Sequence, residues 1–436
     1  MAEKLPSTNL VILGVTGDLS RRKLLPALAE ICRNSDVGAH LNILGVSRRQ
    51  VEIKNILPKG SEKLAHRLSL MRLDYDNPDD YQNLKKKLHD HIADQTIFYF
   101  AVPPDVVPGI VRQLGKAGMN GQNDKLLMEK PFGVDLDSAR ILISETEKYF
   151  KEDQVYRIDH YLAKEPAQNV AVFLGSNALF RGVWNNQFIS RIEIVAEESI
   201  KLEGRGAFYE QTGALRDIVQ SHLLQLAALT LMKPCPDVFD FSQVQARRLE
   251  ALRSLSVNSP RSVIKAQYDD YAQEVDNPRS QTETFVSLSL KSDDPIWKNV
   301  PIKLTTGKAL AEKLTEIRVH FKKTQSAQTN LLKLRLQPNE AIELELWVKK
   351  PGYEPELQKL ALDFVYQRHF ERLPDAYEQV IIDAVRSRGN LFASSDEVVA
   401  SWEILQPVLD SWRAEKPVIT KYPAGSSVNQ ILNLVN

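Results

Sequence analysis

The sequence predicts two domains of different class. The first is an N-terminal α/β domain on a doubly wound parallel sheet; the second is a C-terminal α+β domain built on a large antiparallel sheet with helices. Three observations lead there. In the first third, continuous apolar runs are separated by helical stretches, as expected of strands buried on both faces. The earliest run, Asn9-Leu10-Val11-Ile12-Leu13, stops at a glycine-bearing turn that opens a helix. From about Ala167 the runs instead alternate apolar with polar residues, the pattern of half-buried antiparallel strands. A chain of 436 residues suits about two or three domains at ~150 residues each, and the boundary is expected between 1–160 and 161–436.

Composition excludes several function classes. Apolar residues make up 43% and charged residues 26%, ordinary for a globular chain. Lysine plus arginine equals aspartate plus glutamate at 56 each, so no global field favours nucleic acid or a membrane surface. Any anion recognition must be local. Two cysteines, Cys32 and Cys235, provide neither a disulfide framework nor a Cys-rich metal site, and suggest a reducing, cytoplasmic setting. No metal is expected. No run approaches the roughly 18 apolar residues of a membrane span, and the polar start Met1–Asn9 lacks the apolar core of a signal peptide.

The first strand ends at Gly14-Val15-Thr16-Gly17-Asp18-Leu19-Ser20, and Arg21 to Arg33 reads as helix. Strand, glycine turn and helix together form a Rossmann-like dinucleotide site. Gly14 permits the tight turn, Gly17 lets backbone N–H groups approach a pyrophosphate, and Ser20 is small where helix meets strand. The spacing is G-x-x-G-x-x-S rather than G-x-G-x-x-G. Val15, Thr16, Asp18, Leu19 and Arg21 complete the cofactor-binding turn.

The second strand, Leu41 to Val46, ends in Ser47-Arg48-Arg49. An NAD site usually has an acidic residue here for the ribose 2′-OH; a guanidinium suits a 2′-phosphate, so NADP is the expected cofactor. The next run, Leu70 to Tyr75, brings Asp74 and Tyr75 to the sheet's carboxyl edge, near the adenine. Thr96 to Val102 is a further strand, closed by Pro103 and Pro104. Lys125 to Met128 is another, and it delivers Glu129-Lys130-Pro131 to the crevice.

The stretch Arg157-Ile158-Asp159-His160-Tyr161-Leu162-Ala163-Lys164-Glu165 concentrates chemistry. If it opens a helix, His160 and Lys164 lie one turn apart on one face, a cationic pair suited to a phosphate. About sixty residues on, Arg216-Asp217-Ile218-Val219-Gln220-Ser221-His222 is a second acid-plus-histidine cluster. Asp217 and His222 are five apart, about 140° around an α-helix, which makes them poor direct partners.

These motifs resemble the glucose-6-phosphate dehydrogenase family, whose signature reads RIDHYLGKE; here Ala163 replaces the glycine. The family's G-x-x-G-D-L turn, its Arg48, and Glu129-Lys130-Pro131 occur in the same order. So do Glu197-Glu198, Glu203-Gly204-Arg205-Gly206, Gly307-Lys308-Ala309-Leu310, Leu336-Gln337-Pro338-Asn339-Glu340 and Leu373-Pro374-Asp375-Ala376-Tyr377-Glu378. The resemblance runs from Leu10 to about Gly425. It fades at Ala424-Gly425-Ser426, where the family's Trp-Gly-Pro is missing.

The resemblance implies oxidation of glucose 6-phosphate at C1, with hydride transfer to NADP, the first oxidative step of the pentose phosphate pathway. It places the general base at His222, with Asp159 as the carboxylate that orients it. It implies a cis Lys130–Pro131 bond and sets Lys130 between nicotinamide and sugar. Asp217 and Glu198 are left to accept hydrogen bonds from sugar hydroxyls. His160, Tyr161 and Lys164 take the phosphate, and Lys308 with Lys313, often arginine in the family, closes the sugar side. Gln337 faces either the substrate or an interface. A homodimer or homotetramer is expected. A sugar dehydrogenase of the glucose–fructose oxidoreductase type would share the front domain and Glu-Lys-Pro but lack the His160/Lys164 pair. A catalytically silent regulatory homologue would be expected to lose His222, Asp159 or Lys130.

Overall fold

Apolar runs of four to seven residues become six parallel strands: β1 (Thr8–Leu13), β2 (Leu41–Ser47), β3 (Leu68–Arg72), β4 (Gln95–Phe100), β5 (Asp124–Met128) and β6 (Val155–Ile158). They lie in the order β6-β5-β4-β1-β2-β3, with the two-residue strand Phe392–Ala393 antiparallel on β6. Every residue of β1 is buried, which explains the unbroken apolar run Leu10–Leu13 in it. Because β1 lies between β4 and β2, the direction of winding reverses at its carboxyl end. Doubly wound sheets bind their ligands in the crevice formed there.

The structure is a computed structural model that describes residues 5–202, 204, 206–235, 242–325, 328–415 and 418–435. It divides into two units. The first comprises Met1–Gly133, Asp137–Ala163 and Pro374–Val398. The second comprises Val134–Leu136, Lys164–Leu373 and Val399–Asn436. The helix Ala376–Val385, although late in the chain, belongs with the first unit and not among the helices of the antiparallel sheet. Specific bonds hold it there. Buried Lys125 on β5 donates to Ala384 O (2.9 Å) and Ser387 Oγ (2.7 Å), and Gln95 Nε2 donates to Val385 O (2.8 Å). Val380, Ile381, Ala384 and Val385 pack into the same core as Leu10 and Ile12 of β1.

The second unit carries β7 (Ile189–Glu197), β8 (Leu255–Val257), β9 (Ile264–Tyr268), β10 (Phe285–Ser292), β11 (Ile302–Gly307), β12 (Leu314–Phe321), β13 (Leu331–Gln337), β14 (Ala341–Lys349) and β15 (Leu357–Val365). The main path runs β15-β14-β13-β12-β7-β11-β10-β9, with Thr420–Tyr422 beyond β9 and β8 paired to β10. All pairs are antiparallel except β7 with β11 and β9 with Thr420–Tyr422. β13 alternates half-buried and buried residues along its length, as its Leu-Leu-Lys-Leu-Arg-Leu-Gln sequence dictates. Among the described residues no helix is long and apolar enough to cross a membrane.

Candidate active site

The glycine turn after β1 forms a cradle. Gly14 has φ +89°, and a Cβ there would lie 2.3 Å from Ala101 O at the end of β4, so only glycine fits. Gly14 N and Val15 N both donate to Val46 O of β2, at 3.0 and 3.1 Å. Ser20 Oγ donates to Gly14 O (2.9 Å), tying the helix to the turn. Ser20–Leu24 winds wider than an α-helix, with Leu25 N donating to Ser20 O, a bond from residue i+5 to i. Thr16 Oγ1 is 3.4 Å from Ser47 Oγ at the end of β2. Asp18 pairs with Arg22 at 2.8 Å in the open, Leu19 is partly buried, and Arg21 is exposed.

Arg48 and Arg49 follow β2 and are exposed. The Arg48 guanidinium lies 6.0 Å from the centre of the Tyr75 ring. Burial pushes the Tyr75 hydroxyl up to about 12, against the pull of Arg48. The Asp74 carboxylate accepts from Asp76 N (3.2 Å) and holds its own turn. These residues fit a nicotinamide dinucleotide: a turn after β1 where only glycine can pass beside Ala101, and a cation at the end of β2 where an acid is absent.

The Lys130–Pro131 bond is cis, as the resemblance implied. Beside it, Glu129 accepts from Tyr99 Oη (2.5 Å) and is also hydrogen-bonded by Tyr377. Burial raises the Glu129 carboxyl to about 7, although both tyrosines and Lys130 pull it down.

The stretch from Asp159 to Lys164 is not a helix, so His160 and Lys164 do not share a helical face. Asp159 Oδ1 accepts from Tyr161 N (2.8 Å) and Leu162 N (3.4 Å), folding the stretch into a turn. The helix begins only at Glu165, with Lys164 extended at its N-cap and Pro166 in the first turn. Asp159 is buried, and burial holds its carboxyl above the usual range despite His160, the Tyr161 amide and Lys130. His160 is half-buried and packs edge-on against the buried Tyr161, ring centres 5.0 Å apart. Ala163 is 1% exposed and its amide donates to Asp159 O at 3.3 Å, so the departure from glycine lies inside the core.

In the second unit, Lys164 Nζ donates to Gln337 Oε1, and Gln337 Nε2 donates to Thr315 Oγ1 (2.9 Å). This links the helix cap to the end of β13. Lys308 Nζ pairs with Glu198 Oε2 and lies 5.2 Å from the centre of the Tyr209 ring. Lys313 does not join them. It is exposed and lines a separate cavity on the sheet with Glu312, Glu316, Arg318 and Arg335.

Asp217 and His222 lie on Leu215–Leu223, a second segment wound with i+5 to i bonds, ending with Leu224 N on Val219 O. In such a helix, residues five apart are one turn apart and share a face. The 140° separation expected of an α-helix therefore does not apply, and Asp159's claim to orient the base rests on resemblance alone. His222 is fully buried and Asp217 half-buried. Glu203 and Arg205 lie outside the described residues.

Two family models cover the chain: "Glucose-6-phosphate dehydrogenase, NAD binding domain" over residues 11–169 and "Glucose-6-phosphate dehydrogenase, C-terminal domain" over residues 171–433. The chain belongs to the glucose-6-phosphate dehydrogenase family. It is 33% identical to the glucose-6-phosphate 1-dehydrogenase of Chlamydia muridarum, across 97% of this chain and 93% of that one. It is 34% identical to the Bacillus subtilis enzyme of the same name, across 97% and 95%. A solved glucose-6-phosphate dehydrogenase in complex with its substrate glucose-6-phosphate superposes with a TM-score of 0.92 at 29% identity, covering 100% of this chain and 98% of that one. The glucose-6-phosphate 1-dehydrogenase of Mycobacterium avium gives 0.87 at 30% identity, covering 99% and 97%.

Within this family framework, several residues at the site escaped sequence reading. Tyr209 is buried, and its hydroxyl has no hydrogen-bond partner among the described residues. Glu129 was noticed only as part of Glu-Lys-Pro, not as a half-buried carboxyl between two tyrosines. Glu283 is buried at the start of the helix that carries His222. No sequence signal marks it, because its partners are backbone amides 68 residues away.

Proposed function

We propose that this protein oxidises glucose 6-phosphate at C1 to 6-phosphogluconolactone, with NADP as hydride acceptor. The observation that supports this most is the match to one enzyme family along nearly the whole chain, with His222, Asp159, Lys130, His160 and Lys164 all present.

The reaction breaks two bonds, C1–H and O1–H, and forms the C1–O double bond of the lactone. NADP, when bound, supplies the acceptor for the hydride. His222 takes the O1 proton, since imidazole ordinarily titrates near neutral pH. Asp159 is assigned to orient the base and stabilise its imidazolium. Asp217 and Glu198 accept hydrogen bonds from sugar hydroxyls, and Lys308 holds Glu198 in place. Lys130 serves both sugar and cofactor. Lys164, His160 and Tyr161 supply donors to the phosphate; Lys313, which lines a separate cavity, is given no part in the sugar site.

For the cofactor, Gly14, Val15, Thr16, Gly17, Asp18, Leu19, Ser20 and Arg21 would hold the pyrophosphate, Arg48 the 2′-phosphate, and Asp74 with Tyr75 the adenine side. A homodimer or homotetramer is inferred. Supporting this, Leu357, Leu360 and Leu362 on the sheet-edge strand β15 are 50%, 46% and 64% exposed. A cytoplasmic setting accords with a sequence that holds only two cysteines, Cys32 and Cys235.

The test is product identification by carbon NMR after incubation with NADP and glucose 6-phosphate. Phosphogluconolactone and its hydrolysis product are expected. Oxidation at any other carbon, or none, would refute the assignment.

A further inference from the structure

The helix bearing Asp217 and His222 does not simply continue the one before it. Gly206–Ala214 breaks at Gly213, where φ is +64° and ψ is 178°. A Cβ at Gly213 would lie 2.4 Å from Glu283 Oε1, so the glycine leaves room for that carboxylate. Glu283, 4% exposed, then serves the first amides of the new helix. Ala214 N donates to Glu283 O (2.9 Å) and Leu215 N donates to Glu283 Oε1 (2.9 Å). The first turn of a helix has amides without intrahelical acceptors, and a carboxylate there also meets the positive end of the helix dipole. Arg216 and Lys265 are the cations that face this carboxylate. Arg216 is itself anchored, its Nε donating to Val134 O at 2.8 Å.

We propose that Glu283 is a positioning residue: by capping Ala214 and Leu215 it sets where the wide Leu215–Leu223 winding starts, and so where Asp217 and His222 point. The inference rests on His222 being the base, and it deepens that reading. A helix can start its i+5 to i pattern at several residues. Its start fixes which side chains share a face, and a two-pronged acceptor at Ala214 and Leu215 selects one start.

Two substitutions separate the acceptor from mere bulk. Glu283→Gln keeps an oxygen for Leu215 N, whereas Glu283→Met fills similar space without one. The methionine variant is expected to lose at least about tenfold in kcat, because small displacements of a catalytic group are costly. The glutamine variant should stay within about threefold of wild type by the same reasoning, since it retains the acceptor. In both, KM for NADP should be unchanged, and histidine NMR of the folded proteins should show the His222 ring signals displaced only in the methionine variant. Gly213→Ala, whose Cβ would displace the same carboxylate, should reproduce the kcat loss and add little to Glu283→Met. It carries the test if the methionine chain does not fold. Wild-type kcat and an undisplaced His222 signal in folded Glu283→Met or Gly213→Ala would overturn the proposal. Equal losses in methionine and glutamine variants would also overturn it. A wild-type protein that fails to oxidise glucose 6-phosphate would instead refute the functional reading, leaving the NMR comparison to decide the role of Glu283.

Discussion

Asp217 and His222 occupy one face of a helical segment whose backbone bonds run from residue i+5 to i, so a spacing of five places them a single turn apart. In an α-helix the same spacing would separate them by about 140°. The wide winding thus turns two residues with unrelated directions into neighbours, and it does so at the histidine assigned as the base.

Replacing His222 by asparagine should lower kcat by about 10²–10⁴-fold, the usual cost of losing a general base, while KM for glucose 6-phosphate changes little. Steady-state kinetics on the purified variant provide the check. Undiminished kcat would remove His222 from the role.

Asp159→Asn should also act on kcat rather than KM. The measurement should be run beside Asp217→Asn, since both acids are now candidates to face the base. A defect confined to kcat in Asp217→Asn, with Asp159→Asn near wild type, would transfer the orienting role to Asp217.

Lys164 donates to Gln337 at a helix cap and is half-buried. If it also binds the phosphate, Lys164→Ala removes a charge-assisted bond of about 1.5–3 kcal/mol, roughly ten- to hundredfold in KM for glucose 6-phosphate. KM for free glucose should not follow. Equal changes with both sugars would mean that Lys164 does not see the phosphate.

Arg48 stands exposed beside Tyr75 with no acid at the strand end. Arg48→Ala should raise KM for NADP and spare KM for NAD, because only NADP carries the 2′-phosphate. Added salt should narrow the wild-type preference, since the contact is open to solvent. Loss of both cofactors alike would contradict this reading, and Arg49 is the neighbour to test next.

Glu129 yields a pH prediction for stability. Its folded carboxyl is raised to about 7 from 4.5, so between those values the folded chain holds a proton that the unfolded chain has released. Its contribution is therefore fully present below about 4.5 and declines as pH rises towards 7. Glu129→Gln should flatten that part of the thermal-stability profile. An unchanged slope would show that the carboxyl ionises normally.

Much of the fold was legible because its cause is local. The buried strands of the first sheet need unbroken apolar runs, the second sheet needs alternation, and the Gly14 turn needs a residue without Cβ. What escaped depends on contacts remote in sequence. The return of Ala376–Val385 to the first unit is made by Lys125 and Gln95, more than 250 residues earlier. A helix at Asp159 was only one option, suggested by the spacing of His160 and Lys164; the Asp159 carboxylate and Pro166 decide for a turn. The wide winding at His222 leaves no signature either, since Leu215, Ile218, Val219 and Leu223 would suit an α-helix equally well. Roles for the site residues were readable only through family motifs, because no spacing in a single sequence singles out His222 among eight histidines.

The most direct test is the initial rate of reduced-cofactor formation by the wild-type protein, with glucose 6-phosphate and free glucose each assayed against NADP and NAD. Glucose 6-phosphate with NADP should give by far the largest kcat/KM, with free glucose poor on either cofactor. Comparable rates on the free and phosphorylated sugar, or no NADPH from glucose 6-phosphate, would contradict the account.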